Sequence, residues 1–263
     1  MKKRELKVLC VGDVVGDKGV RTVLHTIGKY EYDFAVVNIE NSNQKGGRGI
    51  SEFAYTALGD IGVNVFTGGN HSFDNKRTYH LYDNKNLLRP CNFPSTALGK
   101  GHCLYMIEGE VPIVVINVQL RVFMREHLSC PFRAVDSIIT LYKEKNAIII
   151  IDVHGEATAE KISFAAYFDG KVSAIFGTHT HIQTADARIM PKGTGYITDV
   201  GMVGTHHASL GVKFECTTYN FLNQMPTLFE LEEEGESVFS AIIYTIDVDT
   251  KLCTGYKRIY DFY

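Results

Sequence analysis

The chain contains no apolar run long enough to cross a membrane. Its longest such stretches, residues 113–118 and 147–151, are far shorter than the roughly 20 residues that a bilayer span requires. The N-terminal segment carries charge but lacks the uninterrupted apolar stretch and the small-residue cleavage site of a signal peptide. These absences exclude a membrane-spanning protein and predict one that stays in the cytoplasm without a membrane partner.

Paired cysteines and a strong net charge are missing as well. The six cysteines form no C-x-x-C pair, which excludes a zinc ribbon and a dithiol redox motif, and we expect reduced, mostly buried thiols. With 27 basic and 30 acidic side chains, the formal charge is -3. Tight non-specific binding of nucleic acid needs a clustered basic face, and this charge balance offers no strong nucleic-acid patch. A small anionic substrate stays compatible, because an active site can be locally positive.

Several enzyme motifs are absent too. Gly12, Gly16 and Gly19 form G-x-x-x-G-x-x-G, which does not match the dinucleotide-binding fingerprint, and no Walker-type glycine-lysine-serine run occurs. No G-x-S-x-G elbow marks a serine hydrolase, and no cysteine has a local nucleophile signature. The sequence therefore gives no support for nucleotide binding by those glycine motifs or for catalysis by a serine or cysteine nucleophile.

What the sequence does contain is the composition of a packed globular protein. Of its 263 residues, 45% are hydrophobic and 22% are charged, as is usual for such proteins. Strand and helix patterns alternate as β-α-β-α-β up to residue 67, which favours parallel strands with right-handed crossovers. Because the chain shows no repeat, linker or composition shift, we expect a single α/β domain over residues 1–263.

Later segments predict that the sheet becomes mixed. Residues 102–107 and 113–118 flank a Glu-Gly-Glu turn at 108–110 and are typical of an antiparallel hairpin. Strands are predicted at 147–153 and 172–176 and helices around 132–142 and 162–166, and the remainder, including 196–200, 227–231, 238–248 and 252–259, is expected to be mainly β. Earlier in the chain, Ser51 is predicted to cap a helix marked by Phe53, Ala57 and Ile61.

Five predicted strands end in residues of the kinds that bind metal ions. These residues are Asp13, Glu40 with Asn41, Asn70 with His71, His154, and His179 with His181. Ligands of open α/β sheets lie beyond the carboxyl ends of the strands, so we expect the five loops to converge on one rim. Each residue alone has an ordinary structural explanation, such as a turn for Asp13 or a buried core histidine for His154. For all five loops together, that explanation requires repeated coincidence.

The sharpest single signal is the pair His179 and His181. On an extended chain, residues two apart project to the same side, where they can share one metal ion or serve two. Imidazole, carboxylate and amide ligands without thiolate suit iron, manganese or zinc in a catalytic role. A carboxylate such as Glu40 can bridge two ions, and ions about 3.5 to 4 Å apart promote in-line displacement at phosphorus. The role of His206 and His207 stays open, although an exposed loop is the favoured location.

Several blocks resemble those of known enzymes. Gly69-Asn-His71 and Gly177-Thr-His-Thr-His181 resemble the asparagine-histidine and histidine-x-histidine blocks of the calcineurin-like metallophosphoesterases. A closer resemblance, to the YmdB-like phosphodiesterases, extends in order over nearly the whole chain. It adds the blocks Gly12-Asp-Val-Val-Gly16, Asn38-Ile-Glu-Asn41, Arg89-Pro90, Arg121-Val-Phe-Met124, His154-Gly-Glu-Ala-Thr158 and, after His181, Ile182-Gln-Thr-Ala-Asp186.

This resemblance implies a four-layer α/β/β/α sandwich of mixed sheets with a di-metal centre. It also implies hydrolysis of phosphodiesters, particularly 2′,3′-cyclic nucleotides, with iron or manganese favoured over zinc. By position, Asp13, Glu40, Asn41 and His181 are implied to hold one ion, and Glu40, Asn70, His154 and His179 the other. On this hypothesis a hydroxide bridging the two metals attacks phosphorus, and His71 is the general acid for the leaving group.

The sequence also departs from the pattern of these families. Val15 stands where the wider superfamily has the histidine of its first block, and Glu40-Asn41 replaces the second block, departures that the YmdB-like branch shares. Within that branch, Gly155 stands where alanine is common and Leu120 where glycine is common. These last two changes leave the expected metal ligands intact and concern the substrate rim.

Two other classes of function remain as alternatives. The first is a metal-dependent hydrolase of esters or amides, because histidine, aspartate and asparagine centres also serve such bonds; a phosphodiester compared with an ester substrate separates the two. The second is a regulatory or scaffold protein, acting on RNA among other partners, that retains a metal site; intact His71 beside the ligands argues against an inactive enzyme. The oligomeric state stays open, a homo-oligomer included.

Overall fold

The computed structural model describes residues 5–107 and 111–263. The strands are β1 (Glu5–Val11), β2 (Asp13–Val14), β3 (Phe34–Asn38), β4 (Val65–Thr67), β5 (Leu87–Leu88), β6 (His102–Ile107), β7 (Val111–Gln119), β8 (Ile148–His154), β9 (Ala174–Thr178), β10 (Arg188–Ile189), β11 (Gly195–Ile197), β12 (Met202–Thr205), β13 (Ser237–Asp247) and β14 (Cys253–Phe262). The α-helices are α1 (Gly16–Thr26), α2 (Glu52–Asp60), α3 (Pro131–Tyr142), α4 (Thr158–Phe168) and α5 (Phe214–Asn223). Short 3-10 helices cover Ile27–Lys29, Lys76–Asp83 and Lys143–Lys145.

The strands form two mixed sheets. The first has the order β2-β12-β13-β1-β3-β4-β5, with β14 paired to β13, and the second has the order β10-β11-β9-β8-β7-β6. The pairs β1–β3 and β3–β4 are parallel, which confirms the prediction from the β-α-β-α-β pattern. Strands β6 and β7 are antiparallel, as predicted, although the turn at 108–110 lies outside the described residues.

Successive side chains of the central strands point to opposite faces of the sheet, and both faces are covered, which explains why these strands are mainly apolar. Val8 of β1 joins a cluster shared by the two sheets, whereas its neighbour Leu9 joins a second cluster under helices α1 and α2. In β8, Ile150 faces the first sheet and Ile151 belongs to a third cluster with residues of α3 and α4. Successive strand residues point to opposite faces, so a strand covered on both faces needs apolar residues at every position.

Two helix predictions need correction. Ser51 does cap α2, accepting a hydrogen bond from the backbone N–H of Ala54, but the buried positions are Ala54 and Leu58 rather than the predicted face. Phe53 and Ile61 are 46% and 41% exposed. A spacing of four residues identifies a helix, but two overlapping series in this segment have that spacing. Packing on the sheet buries the series of Ala54 and Leu58 and leaves the predicted series facing solvent.

Helix α5 is the second correction, because the sequence after residue 196 is expected to be mainly β. The helix buries only Thr217 among its described residues, so it lacks the buried apolar face by which an amphipathic helix is usually recognised. The strand expected at 227–231 reduces to an isolated bridge between Leu231 and Val212. Within the part of the chain that the structure describes, every helix falls short of the length and apolarity that a bilayer span needs.

Candidate metal centre

The five strand-end loops meet at one place, but they come from two sheets. The loops carrying Asp13, Glu40 and Asn70 follow strands of the first sheet, whereas His154 ends β8 and His179 follows β9 in the second. The loops converge as expected, but on a site between two sheets rather than beyond the edge of one. Because the two sheets pack face to face, the carboxyl ends of their parallel strands lie side by side, and the site forms between them.

The centre of the site is the Nε2 atom of His154. Glu40 Oε1 lies 3.0 Å from this nitrogen, Asn70 Oδ1 lies 2.8 Å from it and His179 Nδ1 lies 3.1 Å from it. Ligand atoms of Glu40, His154 and His179 all lie within 4.8 Å of one another, as a shared metal ion would require. Glu40 and His154 are both fully buried, so water does not screen their charges.

A second group of predicted ligands adjoins the first. Asp13 Oδ2 accepts a hydrogen bond from the backbone N–H of His179 at 3.1 Å, and Asp13 Oδ1 lies 4.0 Å from His181 Nε2. Among the described residues, Asp13 Oδ1, Asn41 Oδ1 and His181 Nδ1 are buried without a hydrogen-bond partner. Each such atom costs about 1–3 kcal/mol if left unsatisfied. Carboxylate, amide and imidazole atoms of this kind are metal ligands, so the residues present fit a metal ion.

Three of the candidate ligands, Glu40, His179 and His181, have the protonation state that metal ligation requires, whereas Asp13 and His154 must release a proton when a metal ion binds. Burial raises the pKa of Asp13 well above its usual range. Burial alone would also raise the pKa of Glu40, but the His154 imidazolium overrides it and lowers that pKa to about 2. Burial disfavours charge on His154, yet Glu40 raises its pKa to about 9. Burial lowers the pKa of His179 to about 3 and that of His181 to about 4, so both are neutral at pH 7, as metal ligation requires.

A hydrogen-bond chain determines which nitrogen of His154 faces the centre. Buried Asp152 accepts the hydroxyl proton of Thr178 at 2.7 Å, and burial raises the pKa of Asp152 to about 6, so it is mostly ionised at neutral pH. Because the Thr178 proton is engaged, its oxygen accepts the Nδ1–H of His154 at 3.0 Å. The Nε2 atom therefore points at Glu40 and Asn70, an arrangement that resembles the outer-shell support of metal-ligating histidines.

The loop with His179 and His181 is not extended. Both residues have positive φ, 98° and 65°, so the expectation that two imidazoles project to one side of an extended chain is wrong. The tight turn instead sends His179 toward His154 and His181 toward Asp13. Positive φ in residues with a side chain costs of order 1–3 kcal/mol and persists only where the surroundings hold it.

A buried ion pair holds this turn. Lys161 and Asp199 are both fully buried, and their charged atoms lie 2.8 Å apart. Lys161 Nζ also donates to the carbonyl of Thr178 at 2.7 Å, and Asp199 accepts the backbone N–H of Thr180 at 3.0 Å. The pair therefore hydrogen-bonds the backbone on both sides of His179, which stabilises the strained conformation.

His71 lies at the accessible side of the group. Its backbone N–H donates to Glu40 Oε2 at 2.9 Å, and its Nδ1 is 2.8 Å from Asp74 Oδ2. An ionised carboxylate can only accept, so Asp74 sets Nδ1 as the donor and orients the ring. The side chain of His71 is 23% exposed and lines a cavity of 270 Å³ together with Glu40 and the two histidines of the turn.

The remaining histidines lie outside this group. His206 and His207 are exposed, with their rings against Phe262 at 4.6 Å and Phe214 at 5.3 Å. The others outside it are His25, His80, His102 and His127. All six cysteines are free, as expected, but only three of them are buried and the other three are partly buried.

Four residues that support the site were not predicted by the sequence analysis. Asp152 could have been predicted, because it is an acidic residue within an apolar strand, two residues before His154. Asp74 follows His71 by three residues, a spacing that a turn brings together. Lys161 and Asp199 could not have been predicted from local pattern, since their contact joins residues 38 apart on a helix and a loop.

Comparisons with known proteins agree with the resemblance in the sequence. The model of the YmdB-like protein family matches residues 9–259. A 2′,3′-cyclic-nucleotide 2′-phosphodiesterase of Bacillus subtilis (strain 168) is 39% identical over 259 residues, which cover 97% of this chain and 96% of the relative. The crystal structure of a novel phosphatase from Mycoplasma pneumoniae has 32% identity and a TM-score of 0.90, covering 99% of this chain and 94% of that chain.

A crystal structure of a protein from Thermus thermophilus, described as hypothetical, gives a TM-score of 0.89 at 34% identity, with 98% of this chain and 99% of that chain covered. These matches extend over nearly the full length of both partners. A match by the family model over 9–259 together with 39% identity to the Bacillus subtilis enzyme is more than a shared fold. The chain therefore belongs to the YmdB-like family.

Proposed function

We propose that this protein is a metal-dependent phosphodiesterase, with 2′,3′-cyclic nucleotides as its substrate class. The observation that carries the proposal is the meeting of the five strand-end loops around His154 Nε2, with three more buried ligand atoms unsatisfied beside it. The name of the Bacillus subtilis relative supports the substrate class. The structural match to a phosphatase supports phosphoester chemistry.

In this proposal two ions share the site. Asp13, Glu40, Asn41 and His181 would hold one, and Glu40, Asn70, His154 and His179 the other, with Glu40 common to both. Ligands of this type, without thiolate, suit iron, manganese or zinc in a catalytic role, and we propose iron or manganese. When bound, such ions lower the pKa of a coordinated water and neutralise charge on the phosphoryl oxygens.

The chain itself supplies the general acid. His71 holds its Nδ1–H toward Asp74, which leaves Nε2 to carry the proton that the leaving alkoxide needs. The hydrogen bond from its backbone to Glu40 keeps it next to the metal ligands. The burial of Glu40 and His154 excludes water from the inner wall, which strengthens the attraction between the site and a phosphate.

The deciding experiment pairs elemental analysis with turnover. Purified full-length protein is expected to carry two equivalents of metal and to hydrolyse a nucleoside 2′,3′-cyclic phosphate faster than a carboxylic ester. Two equivalents of metal without diesterase activity would favour a binding protein instead. Faster hydrolysis of the ester would favour the ester and amide hydrolase class.

Replacement of His71 tests the general acid. His71→Ala is expected to lower kcat about 10² to 10⁴-fold while metal content stays near normal. His80→Ala is the matched control, because His80 is exposed on the neighbouring 3-10 helix and lines none of the site. Equal activity of His71→Ala and His80→Ala would remove His71 from the mechanism.

Four further expectations belong to the proposal. The three apolar clusters, one between the sheets and one under each pair of helices, support a four-layer α/β/β/α arrangement. A single domain over residues 1–263 and a cytoplasmic location stay predictions, and the oligomeric state stays open, a homo-oligomer included. Size-exclusion chromatography with light scattering measures the last of these.

A further inference from the structure

The cavity at the candidate metal centre is lined by two chemically different groups of residues. His71, His179 and His181 belong to the centre, whereas Phe229 and Arg48 are not among its candidate ligands. Phe229 and Arg48 also line a larger adjoining cavity of 860 Å³. A ligand whose charged group reaches the histidines can therefore extend along Arg48 and Phe229 into that cavity.

Glycines bring Arg48 and Phe229 together. Gly46 and Gly47 have φ of 68° and 64°, a region that side chains rarely adopt. A Cβ at Gly46 would lie 3.3 Å from the carbonyl oxygen of Phe229, and one at Gly47 would lie 3.1 Å from Leu231. The guanidinium of Arg48 consequently lies over the ring of Phe229, 5.8 Å from its centroid.

An aromatic face beside a guanidinium plane is suited to stacking of a heterocyclic base. Bases stack on aromatic side chains and on arginine planes whatever their hydrogen-bond pattern, because every base has a π face. The inner cavity of 270 Å³ is smaller than the range of about 300 to 1,000 Å³ that ligand pockets usually have. Phosphate and sugar would fill it, and the base would extend to Phe229.

The outer cavity does not favour a longer nucleic acid. Its basic residues Lys45 and Arg48 are matched by Glu230 and Glu233. A groove that follows a phosphate backbone needs an excess of positive charge. The balance of charge therefore favours a single nucleotide over the end of an RNA strand.

We propose that Phe229, with Arg48 over its ring, forms the base-binding subsite of this enzyme and determines its preference for nucleotides over base-free cyclic phosphates. The proposal rests on the proposed phosphodiesterase function. It goes beyond that function by assigning substrate selection to two residues that contribute no ligand to the metal centre.

The test compares two substrates on the metal-loaded full-length protein. These are adenosine 2′,3′-cyclic phosphate and 1-O-methylribose 2′,3′-cyclic phosphate, which lacks a base. The wild type is expected to have about tenfold lower KM for the adenosine compound, within the range of base stacking on one aromatic ring. Phe229→Ala should bring the ratio of the two KM values close to one, whereas Phe229→Tyr should retain the preference.

Phe53→Ala is the matched control. Phe53 is also a partly exposed phenylalanine, on α2, and it lines neither cavity. This variant should keep the wild-type KM for both substrates, and thermal melts of both variants compared with the wild type show whether they are folded.

The failures of the two proposals are distinguishable. Equal KM values for the two substrates in the wild type, or a preference that survives in Phe229→Ala, would overturn the base subsite and leave the phosphodiesterase intact. If the metal-loaded wild type hydrolyses neither substrate, the proposed function fails, and the subsite that depends on it fails with it.

Discussion

Gly155 packs against Leu120 so closely that a side chain at position 155 has no room. A Cβ built on Gly155 would lie 2.7 Å from the Cβ of Leu120 and 3.0 Å from its Cγ. Leu120 is fully buried after β7, and Gly155 directly follows His154. The resemblance to the YmdB-like branch places alanine at 155 and glycine at 120, so the two departures in this chain compensate for one another.

The expected cost follows from this distance. Gly155→Ala inserts a methyl group into a packed contact, which costs about 1–3 kcal/mol of unfolding free energy. The φ of Gly155 is not among the positive values, so alanine causes no backbone strain and gains about 0.4–1 kcal/mol through the unfolded state. The net loss is expected to be about 1–2 kcal/mol.

A second substitution tests the cause. Leu120→Ala would not relieve the contact, because the nearest atom is the Cβ of Leu120 itself. Leu120→Gly removes that atom, and its cost should equal or exceed the ~2–5 kcal/mol of a buried leucine-to-alanine change. In that background, Gly155→Ala should be neutral or stabilising, which gives a favourable coupling energy of about 1–3 kcal/mol between the two positions.

Urea unfolding of the wild type, both single variants and the double variant measures this coupling. The midpoint should fall for Gly155→Ala alone and should hold or rise when the same change is made in Leu120→Gly. The reasoning is refuted if Gly155→Ala is as stable as the wild type, or if it costs the same in both backgrounds.

Three other predictions concern the centre itself. Lys161→Met should lower the unfolding free energy by about 3–5 kcal/mol in urea, because it leaves the Asp199 carboxylate buried without its partner; the exposed control Lys171→Met should be near neutral, and equal effects would contradict the role of the pair. Glu40→Gln should lower the occupancy of both metal ions in elemental analysis, with Glu52→Gln as the exposed control. Full occupancy with full activity would remove Glu40 as the shared ligand. The pKa of His154 is raised from 6.5 to about 9, so its stabilising effect is complete below pH 6.5 and is lost as the pH rises through 9. Thermal midpoints of chelator-treated protein should therefore fall between pH 6.5 and 9, and a rise over that range would show that His154 is not protonated in the fold.

The sequence alone was sufficient for elements whose signal is local. The apolar run of β8 and its end at His154 follow from residue order, because a strand buried on both faces needs no partner to be recognised. Ser51 was identified as a cap because its hydrogen bond reaches only three residues along the chain. The blocks that end in Asp13, Glu40 and the histidines were visible for the same reason.

Only the tertiary structure decided features that depend on distant residues. The same strand pattern is compatible with one sheet or two, and only the packing of β1 against β8 places the loops between two sheets. Helix α5 buries only Thr217 among its described residues, so no buried apolar face distinguishes it from the β segments expected there. The contact of Lys161 with Asp199 spans 38 residues, and it holds His179 at a positive φ that residue order does not encode. Local hydrogen bonds and burial patterns are encoded in neighbouring residues, whereas long-range packing is set by which surfaces meet in the folded chain.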